Sequence, residues 1–234
     1  LYAHGGGWTF GSIDSHDGLT RRLAAAIRRP VLSIDYRLAP EHPFPAPVED
    51  AAAGLAFLEH GGLGRPIAPE RLIVAGDSAG AQTVAALLLA RRDAGLPAVA
   101  AGLLFYACLA PDFDTASHRA FGADERFLLS SERMRWYWAN HLGPRAGDPG
   151  PAAPLAAALH DLPPLFLDAA SHDPLRDDTL RFAERLTEAG VPHRLRLTPG
   201  VVHGYLRFGR RLPVVMETFA AAAAFLDEID GSDA

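Results

Sequence analysis

Two rhythms of apolar and polar positions take turns along this chain. Short, nearly continuous apolar runs at Pro30–Tyr36, Arg71–Ala75, Ala101–Leu109 and Leu165–Ala170 each predict a strand buried on both faces. His193–Leu197 (HRLRL) alternates instead, as a strand nearer a sheet edge does. Helical spacing fills the intervals. Leu19, Leu23 and Ile27 recur every fourth residue within Asp17–Arg29, and Val48, Ala52 and Leu55, extended by Leu58, share a face within Val48–His60. Ala79–Ala94 is rich in Ala and Leu and ends near Gly95. Leu175–Ala189 opens after Asp173-Pro174 and stops at Gly190, and Pro213–Ile229 closes the chain. This alternation predicts an α/β fold: a doubly wound, mostly parallel sheet with helices on both faces and right-handed crossovers. One stretch breaks the rhythm. Asp112–Gly150 is polar, then aromatic (Phe127, Trp136, Tyr137, Trp138), then rich in Gly and Pro. Within one domain spanning 1–234, residues 111–150 read either as an insertion contributing to a substrate pocket or as an ordinary surface helix with an aromatic face.

Composition narrows the function classes. The chain is 49% apolar and 21% charged, enough for a sizeable core. Its net charge of −6, with acids and bases interspersed rather than blocked, leaves no electrostatic footprint for nucleic acid or an anionic membrane. All 22 basic side chains are Arg, which excludes a Lys Schiff base and a Ser–Lys dyad. The lone cysteine, Cys108, excludes an intrachain disulfide, reads as a small buried residue, and fits a reducing, cytoplasmic setting. No window resembles a membrane span and no ligand cluster has zinc spacing, so neither metal nor cofactor is expected. The chain opens on Leu1 rather than Met; we read its beginning as missing, which leaves export open.

The chemistry concentrates in a few loops. Gly76-Asp77-Ser78-Ala79-Gly80 lies between a predicted strand and a predicted helix, where a sharp turn would lift the Ser78 hydroxyl above the sheet's carboxyl edge. The bland reading is a serine capping a helix in a Gly-rich turn. His4-Gly5-Gly6-Gly7-Trp8 follows the tail of a strand, so the N–H groups of Gly5 and Gly6 can approach a substrate without an intervening Cβ. Ala79, next to the nucleophile, would supply a further donor. A flexible loop or a phosphate-binding turn is the alternative for that Gly run. Among ten histidines, His203 lies in a loop (Pro199–Tyr205) between the last strand and the last helix, on the same rim as Ser78. His193 begins a strand, while His60, His141 and His160 occupy polar helix-end or loop positions that suit solvated roles. Asp173 stands just beyond a strand end on that rim; Asp168 lies inside the strand, and Asp177 and Asp178 complement a helix dipole. Asp173 can cap that helix and still orient His203. Ser78, Asp173 and His203 thus read as nucleophile, orienting acid and base.

Taken together, H-G-G-G-W, the segment Asp35–Ala46, G-D-S-A-G, D-P-L-R-D-D and V-H-G-Y occur in order and resemble the hormone-sensitive-lipase-like esterases, the bacterial family IV of lipolytic enzymes. The likeness runs from Leu1 to the C-terminal helix. It implies an α/β-hydrolase fold, a Ser78–Asp173–His203 triad, an oxyanion hole of Gly5, Gly6 and Ala79, and small ester substrates with short to medium acyl groups. It further implies substrate contacts from Trp8, Tyr106, Phe127 and Leu206, and a homodimer through the last strand and helix. Three features depart from the family: Ala81 replaces a glycine, the Cys108 region replaces a Tyr-Pro, and the N-terminal strands and cap that usually precede H-G-G-G are missing. Their loss should uncover apolar surface near Ser78, leave a sheet edge unpaired and lower stability. Two other readings remain open: a catalytically silent binding scaffold, and an amidase, lactonase or deacetylase using the same triad.

Overall fold

The computed structural model describes residues 1–232 apart from 124 and 146. Its six strands are β1 (Tyr2–Ala3), β2 (Ser33–Ile34), β3 (Ile73–Asp77), β4 (Ala101–Phe105), β5 (Leu165–His172) and β6 (His193–Val202). They form one sheet in the order β2-β1-β3-β4-β5-β6, with every neighbouring pair parallel. The helices between them are α1 (Ile13–Ile27), α2 (Ala46–Glu59), α3 (Ala79–Asp93), α4 (Ala116–Phe121), α5 (Ser131–Leu142), α6 (Arg176–Glu188) and α7 (Val214–Ser232). This is the doubly wound α/β architecture that the apolar runs predict.

Each face of the sheet carries its own core. On one, α1 and α7 bring Leu19, Leu23, Phe219 and Phe225 onto Tyr2, Phe105 and Phe166. On the other, α2, α3 and α6 bring Leu55, Val84, Leu88 and Phe182 onto Val74, Leu104 and Leu167. Each such side chain, fully withdrawn from water, contributes about 1.5–3 kcal/mol. A third, smaller cluster joins α5 to the loop after β1 through Met134, Trp138, Leu142 and Trp8.

Several element ends differ from the sequence expectation, each for a local reason. Helix α1 starts four residues before Asp17, because Ser12 and Ser15 form a capping box ahead of the first apolar position. The Pro30–Tyr36 run pairs only at Ser33 and Ile34: beyond it, Asp35 accepts the Ile13 N–H and Arg37 turns to Asp50. Strand β4 ends at Phe105 because Tyr106 adopts φ 37°. Strand β6 continues past Leu197 to Val202, so Pro199–Val202 belongs to the strand and not to a loop. The Thr198 hydroxyl donates to Asp168 and the Gly200 N–H to Ser171, which hold this extension against β5 across a register shift. Proline is tolerated there because β6 is an edge strand.

Strand β1 lies inside the sheet between β2 and β3, and the Leu1 amino group donates to the Ile73 carbonyl at 2.8 Å. A cavity of about 1010 Å³ lies at the amino ends of β1 and β3, lined by Leu1, Leu32, Leu58, Ile67, Leu72 and Ile73, at the opposite end of the sheet from Ser78.

Candidate active site

Strand β3 ends at Asp77 and α3 begins at Ala79, leaving Ser78 alone in the turn at φ 53°, ψ −120°. Space dictates the flanking glycines. A Cβ on Gly76 would lie 2.5 Å from the Gly80 backbone, and one on Gly80 would lie 2.1 Å from the Ala3 carbonyl oxygen. The strained Ser78 backbone is fastened at both ends: its N–H donates to Phe105 and its carbonyl accepts from Gln82.

Strands β5 and β6 deliver the partners. Asp173 follows the last residue of β5 and His203 the last residue of β6. The Ser78 Oγ lies 2.9 Å from His203 Nε2, and His203 Nδ1 lies 2.7 Å from Asp173 Oδ2. These partners assign the tautomer: Nδ1–H donates to the carboxylate, and Nε2 is free to accept from the serine. Asp173 is fully buried, and its second oxygen accepts the Leu175 N–H, so the carboxylate also caps the turn into α6. The structure therefore joins the three residues in one hydrogen-bonded line.

The glycine loop after β1 is arranged differently from expectation. The Gly5 N–H donates to Asp77 Oδ1 at 2.9 Å, so Gly5 anchors the loop and is not an oxyanion donor. Among the described residues, no acceptor meets the N–H groups of Gly6, Gly7 or Ala79. Gly6 takes φ 130° and Gly7 φ 57°; a Cβ on Gly7 would strike the Tyr137 ring at 2.4 Å. The N–H groups left without an acceptor in these two turns are thus those of Gly6, Gly7 and Ala79.

The four expected substrate contacts do not converge. Trp8 is completely buried; its indole N–H donates to Gln82 Oε1 at 2.8 Å and its face stacks on His141 at 3.9 Å. Tyr106 is buried with its ring edge against His203, and Leu206 is buried in the core beneath α1 and α7. These three support the site from behind. Phe127 is half-buried, against Phe121 and His172.

With this geometry in view, the chain matches the alpha/beta hydrolase fold family over residues 1–207. The chain belongs to that family. Its relatives include carboxylesterase NlhH of Mycobacterium tuberculosis, 38% identical over 230 residues that cover 97% of this chain and 72% of NlhH. Esterase LipI of the same organism is 40% identical over 226 residues, covering 93% of this chain and 68% of LipI. The solved esterase of Pyrobaculum calidifontis superposes with a TM-score of 0.91 at 34% identity, covering 98% of this chain and 75% of that one. The resemblance to hormone-sensitive-lipase-like esterases, drawn from the motifs, is borne out.

Three supporting residues of this α/β-hydrolase were not visible as such in the sequence. Asp77, the variable position of G-x-S-x-G, is buried and accepts from Tyr2 Oη at 2.7 Å, Gly5 N–H at 2.9 Å and, more weakly, Tyr106 Oη at 3.3 Å. His16 Nε2 stands 3.5 Å away, too far for a strong hydrogen bond but near enough for charge. Burial pushes the Asp77 carboxyl up, but His16, Tyr2 and Gly5 together outweigh it and hold it below the usual range. Asp178, expected only to complement a helix dipole, is fully buried and accepts the N–H groups of Leu109 and Ala110. Burial pushes its carboxyl up to about 7.

His141 overturns its solvated reading. It is fully buried, stacked on Trp8, and neither ring nitrogen has a partner among the described residues. Burial alone lowers its pKa from 6.5 to about 3. Between those values the unfolded chain binds more protons than the folded one. The stability that the neutral ring contributes is therefore complete above pH 6.5 and drains as pH falls, amounting to about 2 kcal/mol by pH 5. His141→Phe keeps the stack without the titration. Its unfolding free energy, measured in urea, is expected to change less between pH 7 and pH 5 than that of the parent by about that amount.

Proposed function

We propose that this chain is a carboxylic ester hydrolase working through an acyl-enzyme on Ser78. The observation that carries this reading is the continuous line Ser78 Oγ–His203 Nε2 and His203 Nδ1–Asp173 Oδ2 at 2.9 and 2.7 Å. His203 Nε2 takes the Ser78 proton as Oγ attacks the ester carbonyl carbon. The resulting oxyanion turns toward the N–H groups of Gly6, Gly7 and Ala79, each worth about 3 kcal/mol where it meets developing charge. The bond to the alkoxy group then breaks, and His203 returns the proton to the departing alcohol. Water repeats the sequence: His203 takes its proton, hydroxide character attacks the acyl carbon, and Ser78 leaves with the proton back on Oγ. Asp173 holds the imidazole orientation and stabilises the imidazolium throughout.

Small esters with short to medium acyl groups suit this site. The carboxylesterase and esterase relatives support ester over amide chemistry, and residues 111–150 supply an apolar flank. Tyr137 of that segment closes on Gly7, its neighbour Trp136 is exposed, and Leu128 of the same segment is exposed as well. We read 111–150 as the part of the chain that shapes the substrate pocket. Exposed Leu195 and Leu197 on edge strand β6 support a homodimer. The single, buried Cys108, its thiol pushed up by burial, fits a reducing cytoplasm. No helix among the described residues is long and apolar enough to cross a membrane.

The test is a series of p-nitrophenyl acetate, butyrate and octanoate beside p-nitroacetanilide. The esters are expected to turn over, with kcat/KM falling at octanoate, while the anilide is hydrolysed far more slowly. An anilide turned over as fast as the esters would establish an amidase instead.

A further inference from the structure

Although the chain is acidic overall, four guanidinium groups gather at one place outside the catalytic line. Arg22 on α1 and Arg207, Arg210 and Arg211, on and just after the 3-10 turn Tyr205–Phe208, line a cavity of about 410 Å³. None of the four is held in an ion pair among the described residues. The acids on the same rim are Asp14 and Asp17, and both oxygens of Asp17 are taken by Arg21 Nε at 2.8 and 2.9 Å. The cavity therefore carries a local excess of positive charge.

Arg22 gives the cluster a built floor. Its guanidinium lies between two glycines: a Cβ on Gly209 would come 2.4 Å from Nε, and one on Gly18 3.4 Å from a terminal nitrogen. The Nε is buried and has no hydrogen-bond partner. The Nε is closed to solvent, so an oxyanion entering the cavity would meet the other nitrogens of the Arg22 guanidinium, which have no ion-pair or hydrogen-bond partner among the described residues. Arg207, Arg210 and Arg211 are exposed around it, with planar donor forks suited to tetrahedral oxyanions.

From this arrangement we infer that the cavity between α1 and the 205–211 turn binds a compact, multiply charged oxyanion of the phosphate class, seated on Arg22 and clasped by Arg207, Arg210 and Arg211. The same chemistry is presented by a free phosphorylated metabolite and by the headgroup of an anionic lipid.

Calorimetry with pyrophosphate at fixed ionic strength tests the site. The parent chain is expected to bind saturably. Arg22→Gln should bind about tenfold more weakly, the loss of one charge-assisted pair, and the double variant Arg210→Gln/Arg211→Gln about a hundredfold, the loss of two. Gly209→Ala should weaken binding as well, because its methyl group displaces the Arg22 guanidinium. Hydrolysis of p-nitrophenyl butyrate without pyrophosphate should be unchanged in all of them. Absence of saturable binding in the parent, or equal affinity in the parent and Arg22→Gln, overturns the inference. Vesicles of phosphatidylglycerol and phosphatidylcholine separate the two sources. Cosedimentation that pyrophosphate competes away identifies the lipid headgroup, whereas pyrophosphate binding without cosedimentation identifies a soluble ligand. Cosedimentation indifferent to both pyrophosphate and Arg22→Gln overturns the site in favour of a diffuse basic surface.

Discussion

Ser78→Ala is expected to lower kcat for p-nitrophenyl butyrate by about 10⁴-fold or more while leaving KM little changed. The hydroxyl is the proposed nucleophile, and among the described residues no other side chain is hydrogen-bonded in line with His203 and Asp173. Removing Oγ leaves that pair intact, together with the N–H groups of Gly6, Gly7 and Ala79, so a small residual rate above water is expected. Alanine inherits the same backbone at φ 53° that serine adopts, so the substitution neither relieves nor adds strain in the turn. Melting temperature should therefore move little while the rate collapses. A variant retaining parental kcat would place the nucleophile elsewhere.

Asp77→Ala is expected to act on both stability and rate. Deleting this buried carboxylate leaves the Tyr2 hydroxyl and the Gly5 N–H without their acceptor, and the Tyr106 hydroxyl loses its weaker one. At about 1–3 kcal/mol for each orphaned group, the cost should be about 3 kcal/mol or more. The Gly5 contact also ties the glycine loop to the nucleophile turn across 72 residues of sequence. Loosening it misplaces the N–H groups meant for the oxyanion, and kcat should fall by about 10²-fold in the fraction that remains folded. Asp77→Asn retains one carbonyl oxygen for Gly5 and Tyr2 and should recover much of both losses. Urea unfolding together with single-turnover kinetics separates the two effects. Parental stability and rate in Asp77→Ala would refute the anchoring role.

What was legible in the sequence was whatever local geometry dictates. The glycines around Ser78 are required by a turn whose neighbours lie within 2.5 Å of a hypothetical Cβ, so the pentapeptide announces itself wherever it occurs. Asp173 and His203 were found because parallel strands deliver their carboxyl ends to one rim, and each residue directly follows such an end. Roles set by partners far along the chain were hidden. Gly5 and Gly6 are indistinguishable as letters; only the position of the Asp77 carboxylate assigns one to anchoring and leaves the other free. His141 sits near a helix end among polar neighbours, yet α5 lays that end on Trp8 and buries it. Trp8, Tyr106 and Leu206 flank the catalytic motifs in sequence, but their side chains turn into the cores beneath the site. Edge positions blurred for a related reason: β6 runs five residues past its alternating segment because Thr198 and Gly200 find partners on β5.

The proposed covalent intermediate forms on Ser78. Its most direct measurement is mass spectrometry of the chain after reaction with diethyl p-nitrophenyl phosphate, which transfers a diethylphosphoryl group to an activated serine and resists deacylation. One label per chain is expected, located on the peptide that carries Ser78, with hydrolysis of p-nitrophenyl butyrate lost in proportion to labelling. A label on any other residue, or an unlabelled folded chain that still hydrolyses the ester, would contradict it.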